Sequence, residues 1–415
     1  MRILMLTDRF PPEVRSAAHL FHELARELRR RGHDVAVITK APREYISAWD
    51  GRPLAPGWSH VDGVETLRVR GFPIPGHHPV LRGLDHLTLG WTFRCASRQW
   101  PRADVVLVYS PPLPLAAAGA AYARTSGCPF VLNVQDLYPQ TAMDLGLLRN
   151  PLAIALAEKL EQRAYRSASR IVVHSPGNQA FLSTRKGVPG EKVHVIYNWV
   201  DTEFVRPGAS DNDFRRGHGL ADRFVVSYAG LMGYAQDLSG IIQCAERMRG
   251  EQDVLFLLVG EGVLEHRWKT MVADLRLGNV RFLPMQPRAA YVQLLAASDV
   301  CLVPLDAALR TPVIPGKLQS IMACARPAIT ITAPESDAPG ILTESGGGIN
   351  VPPGDSEALA GAVLRLKADP ATRREMGNRG RAFAERHFSL NRCADQYEKL
   401  FQELILERHS KSWRC

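Results

Sequence analysis

The stretch PVIPGKLQSIMACARPAI, Pro312 to Ile329, begins with a proline-glycine-lysine turn, continues as a short apolar run and stops at Pro327. Pro315 and Gly316 aim the backbone into a helix, so the first N–H groups, Gly316 to Gln319, face outward with partial positive charge. Lys317 adds a full charge at the same point. A mouth of this kind suits phosphate, because helix N-termini hold anions through those N–H groups. A solvated lysine in an ordinary strand-to-helix loop is the competing reading of the same letters. Gly260-Glu261-Gly262 ends an apolar strand and opens a helix, which fits a nucleobase or ribose contact or a plain turn, and it lacks the full dinucleotide-binding pattern. Two carboxylates, Glu13 in Pro11-Pro12-Glu13 and Asp136 in VQDLYP, stand just beyond strand-like runs, where a substrate hydroxyl can be met.

Bringing these residues together falls to the surrounding elements, and their order is regular. RILMLTD, DVAVITK, VETLRV, DVVLVYS, PFVLNVQD, RIVVHS and VHVIYN alternate with helical segments near 16–31, 80–100, 113–125, 151–168 and 177–186. Continuous apolar strands alternating with helices predict a parallel sheet covered on both faces. A second series follows Asp201-Thr202: FVVSYAG, DVLFLLVG, NVRFLP, DVCLVPL and PAITIT, again with helices between. Arg206 to Asp222, rich in Gly, Asp and Arg, reads as the connection between two doubly wound α/β units. After Asp355 the pattern is wholly helical to Arg408, and the last helix is expected to cross back onto the first unit. Two such sheets are expected to face each other with their strand C-termini at a shared ligand cleft.

At 415 residues the chain exceeds one ordinary core and fits two domains. Residues 1–200 carry 25 Lys+Arg against 16 Asp+Glu, a balance of +9, whereas residues 201–415 carry 26 of each. The basic half implies an anionic partner, nucleic acid or the negative inner surface of a membrane, or else a surface that aids solubility. No nucleic-acid motif is present. Seven scattered cysteines with no C-x-x-C pair predict reduced thiols in a cytosolic protein without a disulfide framework or zinc site. The opening MRILMLTDRF reads as a first strand rather than a signal peptide. Val105 to Ala123 is free of charge, but Pro111, Pro112 and Pro114 divide it into a strand and a small-residue helix.

With the elements in place, the chain resembles the GT-B glycosyltransferases of family 4, in the pattern of bacterial enzymes of exopolysaccharide, colanic-acid and O-antigen assembly. The resemblance is carried by FPPE, LARELRRRGHDVAVIT, VQDLYP, RIVVHSPG, VIYNWVDTEF, LLVGEG, NVRFLP, LAASDVCLVPL, PGKLQSIMACARP and GGGINVPPGDSEALA, in order along nearly the whole chain. It implies two facing Rossmann-like domains with a donor/acceptor cleft between them. Residues 1–202 would form the acceptor domain, joined by a C-terminal helix at 389–415, and residues 203–388 the donor domain. The implied reaction is transfer of a sugar from a UDP- or GDP-sugar to a saccharide on undecaprenyl diphosphate, with retained configuration, no cofactor and no metal. The implied place is the cytoplasmic face of the membrane, held there peripherally by the basic first domain.

Residue by residue, the resemblance gives Lys317, with Pro315, Gly316 and Leu318, the donor diphosphate. Ser320 stands where the family usually has an acidic residue that accepts from the donor ribose. In AGLMGYAQDL, Leu231 and Gln236 stand where many members have arginine and lysine; Gly233 then implies close backbone approach and Gln236 a neutral contact or a plain turn. Gly260, Glu261 and Gly262 would complete the donor side. On the acceptor side, Arg15 and Ser16 replace glycines and Arg15 would hold an acceptor phosphate. Glu13 would position the acceptor hydroxyl or cap the first helix. Gln135 stands where many relatives have histidine, and Asp136 is an acceptor-side carboxylate or a loop stabiliser. His19 and His22 share a helix face and are read as surface or packing residues. Residues 77–102 and the tail 408–415 suit an interfacial segment at an anionic membrane, or for the former a core helix with a basic outer face. A sugar-nucleotide epimerase on the same fold, or a scaffold without donor affinity, are the alternative functions.

Overall fold

The computed structural model describes residues 1–13, 16–42, 55–71 and 79–412. Contacts divide the chain into two compact units. Unit 1 comprises Met1–Met143, Leu148–Asn198 and Leu390–Cys415, and unit 2 comprises Asp144–Leu147 and Trp199–Ser389.

Unit 1 runs β1 (Arg2–Leu6), α1 (Ser16–Arg30), β2 (Asp34–Lys40), β3 (Gly57–Val61), β4 (Val64–Val69), α2 (Pro79–Ser97), β5 (Val105–Ser110) and α3 (Pro114–Ser126). It continues with β6 (Phe130–Val134), α4 (Gln140–Asp144), α5 (Pro151–Ser167), β7 (Arg170–Val173), α6 (Pro176–Arg185) and β8 (Val193–Val195). The sheet order is β3-β4-β2-β1-β5-β6-β7-β8, and all pairings are parallel except β3 with β4. Strands β1, β5 and β6 are buried at nearly every position, as a sheet covered on both faces demands. The antiparallel β3 is absent from the sequence expectation. Its signal is Val61-Asp62-Gly63-Val64, where Asp62 and Gly63 take φ of 48° and 82° in a two-residue hairpin turn.

Crossover direction sets the layers. The step from β1 to β2 runs one way across the sheet, and the steps from β4 to β5, β6 and β7 run the other way. Right-handed crossovers therefore place α1 on one face and α2, α3 and α5 together on the opposite face. α2 packs on α3 and α3 packs on α5.

Unit 2 contains α7 (Asp213–Gly217), β9 (Phe224–Ala229), α8 (Ser239–Arg247), β10 (Val254–Val259), α9 (Glu265–Asp274), β11 (Val280–Leu283), α10 (Arg288–Ala297) and β12 (Val300–Pro304). It ends with α11 (Gly316–Ala323), β13 (Ala328–Ile331), α12 (Ala338–Ser345), β14 (Gly348–Val351), α13 (Ser356–Ala368) and α14 (Pro370–His387). Its six parallel strands are ordered β11-β10-β9-β12-β13-β14 around a core that includes Tyr228, Phe256, Leu302 and Trp268. The segment 206–222 is more than a connection. Phe214 is buried, and Arg215 donates to the carbonyls of Leu220 and Ala297 and pairs with Asp299 at 3.2 Å.

The last helix, α15 (Leu390–Ser412), belongs to unit 1 and packs on α1. Its buried Cys393, Tyr397, Leu400, Phe401 and Leu404 recur at helical spacing, and each large apolar side chain there is worth about 2 kcal/mol. Arg31 reaches Asp395 at 2.5 Å and Glu398 at 3.1 Å, and His33 meets Glu398 at 2.9 Å, so the helix is also held by charge. Among the described residues no helix is long and apolar enough to cross a membrane. The six described cysteines are free, five of them buried.

Candidate functional site

In unit 2 the strand C-termini gather three glycines and one lysine. Gly230 follows β9 and Gly260 follows β10, both at φ 148°, where side chains are rarely tolerated. A Cβ on Gly260 would lie 1.8 Å from the Gly230 carbonyl oxygen, and one on Gly262 would lie 2.5 Å from the Met232 carbonyl oxygen. The two loops are zipped by backbone bonds, Gly230 N–H to Val259, Met232 N–H to Glu261 and Leu264 N–H to Met232.

Lys317 is the second residue of α11, behind Pro315, which has no capping side chain. Its Nζ stands 5.3 Å from the centroid of the Tyr228 ring, whose hydroxyl donates to the Leu231 carbonyl at 2.5 Å. No carboxylate pairs with Lys317 among the described residues, and burial pulls its ammonium down to about 8. The N–H groups at the helix mouth differ from the expectation. Leu318 N–H donates to the Pro315 carbonyl at 2.9 Å, which leaves those of Gly316 and Lys317 without a partner among the described residues. The Leu318 side chain is fully buried with Ile321 and Met322, so it is core and offers nothing to a ligand. Ser320 turns toward α10, where its hydroxyl bonds the hydroxyl of Tyr291. Gln236 folds back on Gly233, its N–H bonded to the Gly233 carbonyl, and Glu261 is exposed. Two exposed apolar side chains absent from the sequence reading, Tyr234 and Val263, flank these loops.

In unit 1 a second group gathers beyond β1, β5 and β6. Arg9 bonds Glu13 at 2.8 Å and lies 3.7 Å from Asp8. Glu13 is buried, and desolvation pushes its carboxyl up to about 7 against the pull of Arg9. Arg68 on β4, also buried, donates to the Pro11 carbonyl at 2.8 Å and to Ser59 Oγ at 2.5 Å, bracing the Pro11-Pro12 turn. Tyr109 at the end of β5 is raised well above its usual range by burial and by the charges of Asp136 and Asp8. Asp8, Arg9, Glu13, Tyr109 and Asp136 therefore share one electrostatic neighbourhood. Asp136 keeps an exposed carboxyl, yet protein on most sides desolvates it enough to raise it.

Gln135 faces a different way. Its amide donates to Asn133 Oδ1 at 2.9 Å and Asn198 Oδ1 at 3.0 Å, and accepts from Asn198 Nδ2 at 2.8 Å. Asn133 in turn donates to the Tyr397 hydroxyl at 2.5 Å and lies 3.3 Å from His174, which burial holds near 4 and hence neutral. The Gln135 amide is thus tied into a partly buried network with Asn133 and Asn198. Arg15 lies outside the described residues, as does the side chain of Ser16, whose backbone opens α1. Much of the proposed interfacial segment does too, since residues 77 and 78, the side chains of the first half of α2 and residues 413–415 are not described. Among the described residues no three His, Cys, Asp or Glu side chains converge as a metal cluster.

Comparison with known proteins agrees with this division. A family model described as a glycosyl transferase 4-like domain matches residues 17–199, and one described as glycosyl transferases group 1 matches residues 223–369. The chain is 28% identical over 379 residues to the putative colanic acid biosynthesis glycosyl transferase WcaI of Escherichia coli, covering 88% of this chain and 91% of that one. It is also 28% identical over 261 residues to the probable glycosyltransferase WbjE of Pseudomonas aeruginosa, over 62% of this chain and 65% of the other. Among solved structures, sucrose-phosphate synthase from Thermosynechococcus elongatus superposes with a TM-score of 0.77 at 18% identity, covering 98% and 99% of the two chains. Anabaena Alr3699/HepE in complex with UDP gives 0.73 at 18% identity, over 97% and 100%.

Proposed function

We propose that the chain is a GT-B glycosyltransferase of family 4 and that it moves a sugar from a nucleoside-diphosphate donor to a lipid-linked saccharide, with retention and without a metal ion. The observation that carries this reading is Lys317. A half-buried ammonium with no carboxylate partner among the described residues, beside two free N–H groups at the start of α11, is costly unless an anion arrives. A diphosphate leaving group supplies that anion.

In the proposed step the bond from sugar C1 to the diphosphate oxygen breaks, and the acceptor oxygen bonds C1 from the same face. The acceptor proton passes to the departing phosphate. Lys317 and the Gly316 and Lys317 N–H groups stabilise the charge that builds on that phosphate. The donor is assigned to unit 2, against the glycine loops after β9 and β10. The acceptor is assigned to unit 1, where Asp136 orients the attacking hydroxyl and the Arg9–Glu13 pair shapes the adjoining turn. The name of the E. coli relative and the UDP held by the Anabaena protein support a nucleotide-sugar enzyme of polysaccharide assembly. The surplus of positive charge in residues 1–200 supports work at the cytoplasmic membrane face.

Calorimetric titration with UDP, GDP and their sugars in the presence of a chelator tests the donor half. Wild type is expected to bind one nucleotide class, and Lys317→Ala to bind it roughly 10- to 100-fold more weakly, the range for losing a charged hydrogen bond. Absence of binding by wild type, or equal binding by the variant, would overturn it.

A further inference from the structure

The outer surface of α5 is unusual for a helix in an α/β layer. Its first two turns stand proud of the fold, and burial begins only at Ala157. Along one stripe the exposed residues are Leu152, Leu156, Lys159, Arg163 and Arg166, spaced by four, three, four and three. Leu152 is 81% exposed and Leu156 is 54% exposed. The stripe holds no carboxylate, and from Leu148 to Ala157 the only charged residue is Arg149. Glu161, the acid nearest on the inner side, is buried and tied to Lys186 at 2.9 Å. On the same face of the sheet, beyond α3, α2 exposes Trp91 at 71% together with Arg94, and exposed Arg98 follows the helix.

We propose that this layer, led by the N-terminal turns of α5 and by Trp91, is the surface through which the protein sits on an anionic lipid bilayer. Leucines at the projecting end would enter the headgroup boundary, the tryptophan would anchor on the far side of α3, and the cations up the stripe would meet lipid phosphates. Charge decides between occupants. A second copy of the same patch would bring like charges together with only the half-buried Glu158, off the stripe, to answer them, whereas an anionic bilayer complements every cation present. This deepens the lipid-linked acceptor reading, because it places the membrane against the unit assigned to the acceptor.

The test is co-flotation with vesicles of phosphatidylethanolamine and phosphatidylglycerol, beside vesicles of phosphatidylcholine alone. The variants are Leu152→Glu/Leu156→Glu, Lys159→Glu/Arg163→Glu and, as a control on an unrelated exposed leucine, Leu364→Glu. Wild type and the control are expected to bind the anionic vesicles. Each double variant should bind them about tenfold more weakly or less, and the wild-type affinity should fall with added salt. Nucleotide titration on the same samples should be unchanged, which separates this inference from the donor reading and reports folding. Equal binding by the double variants, or no preference of wild type for anionic lipid, would overturn it. So would a wild-type dimer that Leu152→Glu/Leu156→Glu splits without changing vesicle affinity.

Discussion

A Cβ placed on Gly230 would stand 2.1 Å from Cε of Lys317, so the loop after β9 and the mouth of α11 are fitted to each other at the resolution of one methyl group. Gly230 also sits at φ 148°. Gly230→Ala therefore strains the backbone and pushes the lysine stem off the Tyr228 ring. Nucleotide affinity is expected to fall about tenfold, with a stability loss of about 1–3 kcal/mol. Titration and urea unfolding check the two parts. An alanine variant with wild-type affinity would mean that the position of Lys317 does not matter to the ligand.

Lys317→Met is expected to lower affinity as well but to move stability the other way. In the native protein the ammonium is lowered from 10.5 to about 8 by burial, so between those values the unfolded chain holds more protons than the folded one. Stability then rises with pH across that window, and the full penalty is present below pH 8. Removing the charge is expected to stabilise the ligand-free protein by about 2 kcal/mol at pH 7, a figure reduced for partial exposure. The same variant should lose nucleotide binding, and wild-type affinity should decline above pH 8. Denaturant curves for both proteins at pH 7 and pH 10 are the measurement; a methionine variant less stable than wild type at pH 7 would show that the ammonium is not strained.

What the letters reveal about this site follows from how local each signal is. Pro315, Gly316, Lys317, Gly260 and Gly262 are legible because proline, glycine and a lone cation state backbone geometry and charge directly. Leu318 misleads at first sight, yet Leu318, Ile321 and Met322 follow the three-and-four spacing of a buried helix face. In the loop after β9 the sequence draws attention to Gly233, while the structure puts the steric demand on Gly230. Gln135 has a partner 63 residues away, Asn198, which no local pattern reports. The Asp8, Arg9, Tyr109 and Asp136 group is built by three strands whose adjacency only the sheet order supplies. The alternation of strands and helices was enough for two α/β units. β3 is announced only by the two-residue turn Asp62-Gly63, and its own residues Gly57–Val61 alternate between half-buried and exposed rather than forming an apolar run.

Glu13 gives the acceptor unit its own pH signature. The carboxyl is raised from 4.5 to about 7, so the folded protein holds a proton that the unfolded chain has already released between those values. Stability should fall as pH rises from 4.5 to 7 and stay lower above it, by up to about 3 kcal/mol from this group. Glu13→Gln is expected to flatten that slope, measured as the change in unfolding free energy from pH 5 to pH 8. An unaltered slope in the glutamine variant would assign the pH dependence to other groups.

Asp136 and Gln135 are neighbours in sequence with opposite expected phenotypes, and the contrast tests the assignment of the acceptor role. Gln135→Ala removes one hydrogen-bond partner from Asn133 Oδ1 and two bonds from the Asn198 amide in a partly buried network. The expected cost is about 1–3 kcal/mol of stability. Asp136→Asn removes charge from an exposed carboxyl and should leave the melting temperature within a degree or two of wild type. If Asp136 orients the acceptor hydroxyl, its asparagine variant should keep donor affinity while the transfer rate drops roughly 10- to 1000-fold, as the loss of a positioned carboxylate does. Donor titration, thermal unfolding and transfer assays on both variants separate the cases. Unfolding of Asp136→Asn at lower temperature with an unchanged rate would make it a loop stabiliser, and the attacking hydroxyl would then have to be held by Glu13, the remaining carboxylate on that side assigned to the acceptor.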